Sequence, residues 1–206
     1  MPVLIALPTV EGLVLGSDSL VVATDGTVLD RGSSPWVKEV DGWSLGLHAS
    51  IQLLEVVRTF RFEPVGEYDP DGQVANLADQ LRAHVLGFDP HRRQCLELGA
   101  VVFAHPVHGI WSAGADLIPV RIHDTGFGFC TGTGAEFARG SLFTSLTGYS
   151  PTQINSEIAW EAIDVAIKAA ARFDTGTGQR AFTEARFRSR DPAPREEPFP
   201  QKELVS

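Results

Sequence analysis

Residues 1–19 read MPVLIALPTVEGLVLGSDS, and this stretch decides the fold. Val3 to Thr9 is a short apolar run rich in β-strand formers, and Val10-Glu11-Gly12 turns it back into a second run, Leu13 to Ser17. Two strands joined this tightly form an antiparallel hairpin, which excludes a chain that opens on a strand–helix–strand unit.

Working outward, the chain alternates blocks of strands with pairs of helices. Asp25-Gly26 and Arg31-Gly32 mark turns around the short strand Thr27-Val28-Leu29, and the turn Asp41-Gly42 separates strands Trp36–Val40 and Trp43–Leu47. Ile51 to Phe60 and Val74 to Leu86 carry apolar residues at helical spacing, with Glu63 to Gly72 reading as loop between them. Asp89-Pro90 ends the second helix. Strands Gly99–Ala104, Gly109–Ala113, Val120–Ile122 and Phe127–Cys130 follow. Two further helices are expected, one over Ala135–Leu146 and one starting at Ser150-Pro151 and running to Phe173, before a last strand. Strands, two helices, strands, two helices, strand is the order of an α+β protein. It predicts a four-layer α/β/β/α sandwich of two antiparallel sheets, occupying residues 1–187. Residues 188–206, RSRDPAPREEPFPQKELVS, hold four prolines and eight charges and are expected to stay disordered until something binds them.

Composition narrows the function classes. The 206 residues are 43% hydrophobic, an ordinary globular share. With 26 acidic against 17 basic residues the formal charge is −9, which argues against a nucleic-acid partner. Neither a signal peptide nor an apolar run near the ~20 residues of a membrane span is visible, so no membrane partner and a cytoplasmic location are expected. Cys95 and Cys130 form no CxxC motif. No cofactor and no metal are expected: His105-Pro106-Val107-His108 sits in a hairpin turn without a third ligand, and the Gly-rich turn Thr131–Gly134 lacks the lysine and the fingerprint of nucleotide-binding loops. Cys130 reads as a small buried apolar residue, and the acids Glu63, Glu67, Asp69, Asp71 and Asp89 as a solvated face.

Three motifs, in order, resemble the proteasome β-type family, including its bacterial HslV-like proteases. Gly16-Ser17-Asp18-Ser19 is similar to the family's run after the first hairpin, Cys130-Thr131-Gly132-Thr133-Gly134-Ala135 to its Gly-Ser-Gly turn, and Arg172-Phe173-Asp174-Thr175-Gly176-Thr177 to its Arg-Asp-x-x-Ser segment. The resemblance implies an N-terminal-nucleophile hydrolase fold and a homo-oligomeric ring or double ring. A peptide or protein would be its ligand, and an ATPase unfoldase is left open as partner. It also implies a site. Asp18 matches the aspartate that orients the catalytic lysine, Thr133 stands for the family's serine, Asp174 for its aspartate and Thr177 for its second serine.

Two positions depart. Pro2, sixteen residues before Asp18, stands where the family has its catalytic threonine. Met1 before Pro2 is expected to be removed, which leaves a secondary amine without a hydroxyl. The attacking group in this chemistry is that hydroxyl. Counting along the strand puts Trp36 at the lysine position. Lys38, two residues on and so expected on the same strand face, is the substitute among only three lysines, Lys38, Lys168 and Lys202. The expectation is a subunit without threonine-peptidase activity that serves as an architectural or binding shell. The alternatives are a self-compartmentalising peptidase or amide hydrolase with another nucleophile, Ser19 and Ser50 being the candidates, and a tautomerase-like enzyme using the Pro2 amine as base.

Overall fold

A computed structural model describes residues 2–18, 20–22, 28–30, 36–87, 98–123, 126–175, 177–178 and 181–187. The strands are β1 (Leu4–Thr9), β2 (Gly12–Asp18), β3 (Leu20–Val22), β4 (Val28–Asp30), β5 (Trp36–Val40), β6 (Trp43–Ala49), β7 (Leu98–His105), β8 (Gly109–Ala113), β9 (Pro119–Ile122), β10 (Phe129–Thr131) and β11 (Ala181–Phe187). The described helices are α1 (Ile51–Thr59), α2 (Pro70–Leu86), α3 (Ala135–Leu146) and α4 (Ser156–Phe173). One sheet runs β10-β1-β2-β11 and a second β5-β6-β7-β8-β9, both antiparallel throughout, with β3 and β4 forming a separate ribbon.

Strand alternation builds the layers. Val3, just before β1, and Ile5 and Leu7 on it pack with Ala138, Leu142, Ile163 and Ile167 of α3 and α4. The intervening Leu4 and Ala6 meet Val102, Ala104 and Ile110 of the other sheet. β7 does the same in mirror fashion, since Val101 and Phe103 join Leu53, Leu54, Leu77 and Leu81 of α1 and α2. Three cores therefore separate four layers in the order helices, sheet, sheet, helices, as the sequence predicts. Both hairpin arms lack a polar face because each strand is buried on both sides.

Local chemistry shifts several boundaries. The tight turn between β5 and β6 has Asp41 at φ 49° and Gly42 at φ 80°, the left-handed pair of a two-residue hairpin. The stretch expected to be loop through Gly72 is helical from Pro70, because Asp69 Oδ1 accepts the Gly72 N–H (2.7 Å) and Pro70 fills the first helical position. Asp71 is no mere solvated acid, as its Oδ1 accepts the indole N–H of Trp111 (2.8 Å). The single helix expected from Ser150 is two elements: a short 3₁₀ turn, Pro151–Gln153, and α4, capped afresh by Asn155 Oδ1 on the Ile158 N–H (2.9 Å). The Asp25-Gly26 and Arg31-Gly32 turns, Asp89-Pro90 and the segment 188–206 lie outside the described residues.

The His105–His108 turn is structural. His105 Nδ1 accepts the backbone N–H groups of Val107 (3.1 Å) and His108 (3.3 Å), and its ring lies 5.1 Å from that of the buried Trp43. A nitrogen accepting two N–H bonds has no lone pair left for a metal. Burial, and then the neighbouring His108, push the His105 pKa down to about 4. The unfolded chain takes up this proton near pH 6.5 and the folded chain not until about 4. This contribution to stability is therefore complete above pH 6.5 and declines toward pH 4. Solvent screening of a half-exposed ring limits it to on the order of 1 kcal/mol. In urea unfolding at pH 7 and pH 4.5, His105→Asn is expected to lose less stability between the two than the parent chain; equal losses would contradict this.

Candidate functional site

The site forms where the start of β1, the end of β2 and the loop after α4 converge. Pro2 is buried just before β1. Its carbonyl lies so close to the turn after β10 that a Cβ built on Gly132, at φ +115°, would stand 2.2 Å from Pro2 O. Asp18 closes β2 with 1% of its surface exposed; its backbone N–H donates to Val3 O (3.3 Å). Its Oδ2 accepts the Gly178 N–H (2.9 Å), which ties β2 to the loop that follows α4.

That loop is itself organised. The N–H of Asp174 bonds Ala170 O (2.8 Å) as α4 ends. Asp174 Oδ2 accepts the hydroxyl of Thr177 (2.6 Å), whose backbone N–H returns to Asp174 O (3.2 Å). Thr177 is buried, and its Oγ1 lies against Gly134 at the head of α3, where a Cβ would approach to 2.4 Å. The same Cβ would meet Val3 Cγ2 at 3.2 Å. Thr133, exposed between these two glycines, completes the set on the rim. Pro2, Asp18, Thr133, Asp174 and Thr177 are therefore neighbours, although the last two lie more than 150 residues from the first two along the chain.

Lys38 is not among them. Its Nζ donates to Arg58 O (3.2 Å) at the end of α1, in a cleft it shares with Arg61, Phe62 and Pro64. The reason is a bulge: the β5–β6 register shifts between Trp36 and Lys38, so residues two apart no longer share a face. Trp36 points between the sheets instead. Its indole N–H donates to Gly16 O (3.0 Å) and its ring covers Gly46, where a Cβ would come within 2.7 Å. Lys168 pairs with Asp164 on α4 (2.5 Å), so neither described lysine stands at Asp18.

One residue of this end of the sandwich escaped the sequence reading. His48 lies on β6, where Leu45, Leu47 and Ala49 face the helices and Ser44, Gly46 and His48 the opposite sheet. Its Nε2 is buried with no hydrogen-bond partner among the described residues. Burial, with the positive N-terminus of the chain as lesser cause, lowers its pKa. Strict alternation along Trp43–Ala49 is the signal that would have found it.

The other hydroxyls and the thiol have structural roles. Ser50 Oγ caps α1 through the Leu53 N–H (3.4 Å), and Thr9 Oγ1 accepts the Gly12 N–H (3.1 Å) inside the first hairpin. Ser19 lies outside the described residues. Burial pushes the Cys130 thiol up to about 12 against the opposing charge of Arg139, so it stays protonated. No group of three potential metal ligands occurs among the described residues, and no helix there is long and apolar enough to cross a membrane.

Solved structures share this architecture. The chain is similar to the eukaryotic HslV of Trypanosoma brucei, at 16% identity over 88% of this chain and 97% of that one, with a TM-score of 0.61. It is similar to Thiobacillus denitrificans BPH at 14% identity over 93% and 100% of the two chains (TM-score 0.66), a protein also solved in complex with epoxomicin. The Anbu complex of Pseudomonas aeruginosa, a helical assembly, matches at 12% identity over 91% of this chain and 82% of that one (TM-score 0.66). No protein-family model and no curated protein sequence matches the chain. At these identities the likeness establishes the fold: a proteasome β-type, HslV-like sandwich.

Proposed function

We propose that this chain is a proteasome-like subunit of a homo-oligomeric ring or double ring that has no threonine-peptidase activity and serves as an architectural or binding shell. The observation that carries this reading is Pro2. It lies just before β1 with its carbonyl against Gly132, at the position where the resemblance calls for the nucleophile. With Met1 removed it would offer an amine and no oxygen, so no acyl-enzyme ester can form there. Losing the nucleophile of such a site leaves roughly the 10³–10⁴-fold contribution of binding and oxyanion stabilisation.

The surroundings of Asp18 support the same reading. In the resemblance this carboxylate orients an ammonium, and the position that should supply one holds Trp36, whose N–H is committed to Gly16 O. Asp18, Asp174 and Thr177 take part in a hydrogen-bonded frame that fixes three chain segments to one another. Assembly is supported by the helical assembly of the similar Anbu complex and by an aromatic outer helix layer. Phe137, Phe143, Trp160 and Phe173 of α3 and α4 are all more than 40% exposed, a density of large apolar surface that suits a subunit contact.

Incubation with fluorogenic peptides and with an epoxyketone probe, followed by intact mass and native mass spectrometry, tests the proposal. The expected result is no hydrolysis above the uncatalysed rate, an unmodified subunit mass and a multi-subunit ring. A covalent adduct, or cleavage that disappears in Pro2→Ala, would sink the loss of activity. A monomer at micromolar concentration would sink the shell.

A further inference from the structure

His48 holds an acceptor with nothing to accept. Its Nε2 is buried without a hydrogen-bond partner among the described residues, which is costly for a polar atom kept from water. Two contacts across the seam between the sheets show what this nitrogen faces. Ser44 Oγ accepts the Arg186 Nε–H (3.2 Å), and Arg186 is paired with Leu13 of β2. Gly46 lies under the Trp36 ring, whose N–H reaches Gly16 O (3.0 Å). Along β6 the face toward the other sheet therefore advances from the level of Leu13 to that of Gly16. His48 is the next residue on that face, roughly 7 Å further on. That step brings it to the end of β2, where Ser17 pairs with Leu4 and the Asp18 N–H donates to Val3 O.

The chain start comes to the same place. Leu4 and Ala6 of β1 face the second sheet while Val3 and Ile5 face the helices, so the alternation turns the buried Pro2 toward the seam. With Met1 attached, the Pro2 nitrogen is a tertiary amide without a proton and can donate nothing. Removal of Met1 turns it into a secondary ammonium with two N–H groups, buried and in need of an acceptor. Two donors of this seam are already committed, Trp36 to Gly16 O and Arg186 to Ser44, Glu39 and Glu184. Asp18 faces the other side of β2 from Ser17, with its Oδ2 on the Gly178 N–H. β7 places Gly99 and Ala100 beside His48, and neither carries a charge. Burial first, and then the positive chain terminus, lower the His48 pKa, so that charge is within electrostatic reach of the ring.

The geometry points to a seated chain start: once Met1 is removed, the Pro2 ammonium donates to His48 Nε2 and ties the beginning of β1 to β6 of the other sheet. A nitrogen held in this way is a donor at neutral pH, not a base or a nucleophile. His48 is then a positioning residue, and the first residue of the mature chain is an anchor between the two sheets. The inference rests on the Pro2 amine of the proposed function, and needs neither ring assembly nor the absence of hydrolysis.

Two full chains that differ only at the start test it. One is the processed protein, with intact mass showing that Met1 is gone. The other carries Gly-Ser-Gly ahead of Pro2, which moves the amine away and returns the Pro2 nitrogen to an amide. Nitrogen NMR of the labelled histidines, with His48 assigned through His48→Gln, should show Nε2 as an unprotonated acceptor in the processed chain. That signal should move in the extended chain, while those of His84 and His105, elsewhere in the fold, stay in place. Urea unfolding supplies the second reading. The extension is expected to lower the folding equilibrium constant roughly tenfold or more in the parent, the effect of losing a hydrogen bond to a charged group. His48→Gln should show the same loss, because its amide oxygen can take the N–H, and His48→Leu a loss of less than about twofold. His48 signals that are the same in both chains overturn the inference, whether or not His48→Leu folds. So does an equal loss in the parent and His48→Leu, or a purified chain that keeps Met1. Peptide hydrolysis or a monomeric state, which would sink the proposed function, leaves these readings untouched.

Discussion

Gly132→Ala is expected to lower the stability of this protein by about 3 kcal/mol, more than a core methyl deletion would. Two costs add. The residue sits at φ +115°, a conformation that only glycine adopts without strain. The new Cβ would also stand 2.2 Å from Pro2 O and 2.8 Å from Val3 Cα. Both are backbone atoms, so no rotamer change relieves the overlap. β1 cannot step aside either, because Leu4 is paired with Thr131 of β10 on one side and Ser17 of β2 on the other. For a chain of this length the loss corresponds to a fall in Tm of roughly 10 °C. Gly140→Ala is the matched control. It lies in α3 with nothing within 4 Å of its Cβ position, and there alanine should stabilise by up to about 1 kcal/mol. Thermal unfolding of the two variants side by side checks both signs. A Gly132→Ala protein as stable as its parent would mean that the turn does not press on Pro2, and the site would lose its floor.

The layers were legible in the sequence through the order of its blocks, strands, two helices, strands, two helices, strand, and burial on both faces accounts for the composition of β1. The run from Val3 to Leu7 has no polar residue at all, and only a strand sandwiched between a sheet and helices demands that. Helix starts were less legible where a cap hides among other polar residues. Asp69 reads as one acid among several until its carboxylate is seen on the Gly72 N–H, and Asn155 restarts α4 only because the chain breaks at Ile154. Lys38 was misplaced by the same alternation that reads strands well. One extra residue in β5 reverses the faces of everything beyond it, and Trp36-Val37-Lys38 carries no glycine to betray a bulge. In the site, residue types and order were legible through the resemblance, while the bonds joining Asp18 to Gly178 and Thr177 to Asp174 were not. The first of these spans 160 residues, and pattern alone fixes no such pairing.

Asp18→Ala is expected to cost about 2–3 kcal/mol and Asp18→Asn less than about 1 kcal/mol. Alanine leaves the Gly178 N–H without its carboxylate acceptor at a position where water is excluded, since Asp18 is 1% exposed. Asparagine can turn its side-chain oxygen to the same N–H and keeps the volume. The loss is predicted to be local before it is global. Gly178 follows Thr177 directly, and freeing it removes one end of the segment that holds the Thr177 hydroxyl on Asp174. Amide exchange at Thr177 and Gly178 should accelerate roughly 30-fold in Asp18→Ala, the equivalent of 2 kcal/mol, with β6 and β7 protected as before. Urea unfolding and hydrogen exchange read the two scales. The contrast between alanine and asparagine decides what Asp18 is for. If oxygen suffices, the residue is kept as the tie between β2 and the loop after α4, a duty that needs no lysine and survives the replacement of threonine by Pro2. If asparagine is as damaging as alanine, it is the negative charge that matters, and Asp18 is kept for its charge rather than for the tie.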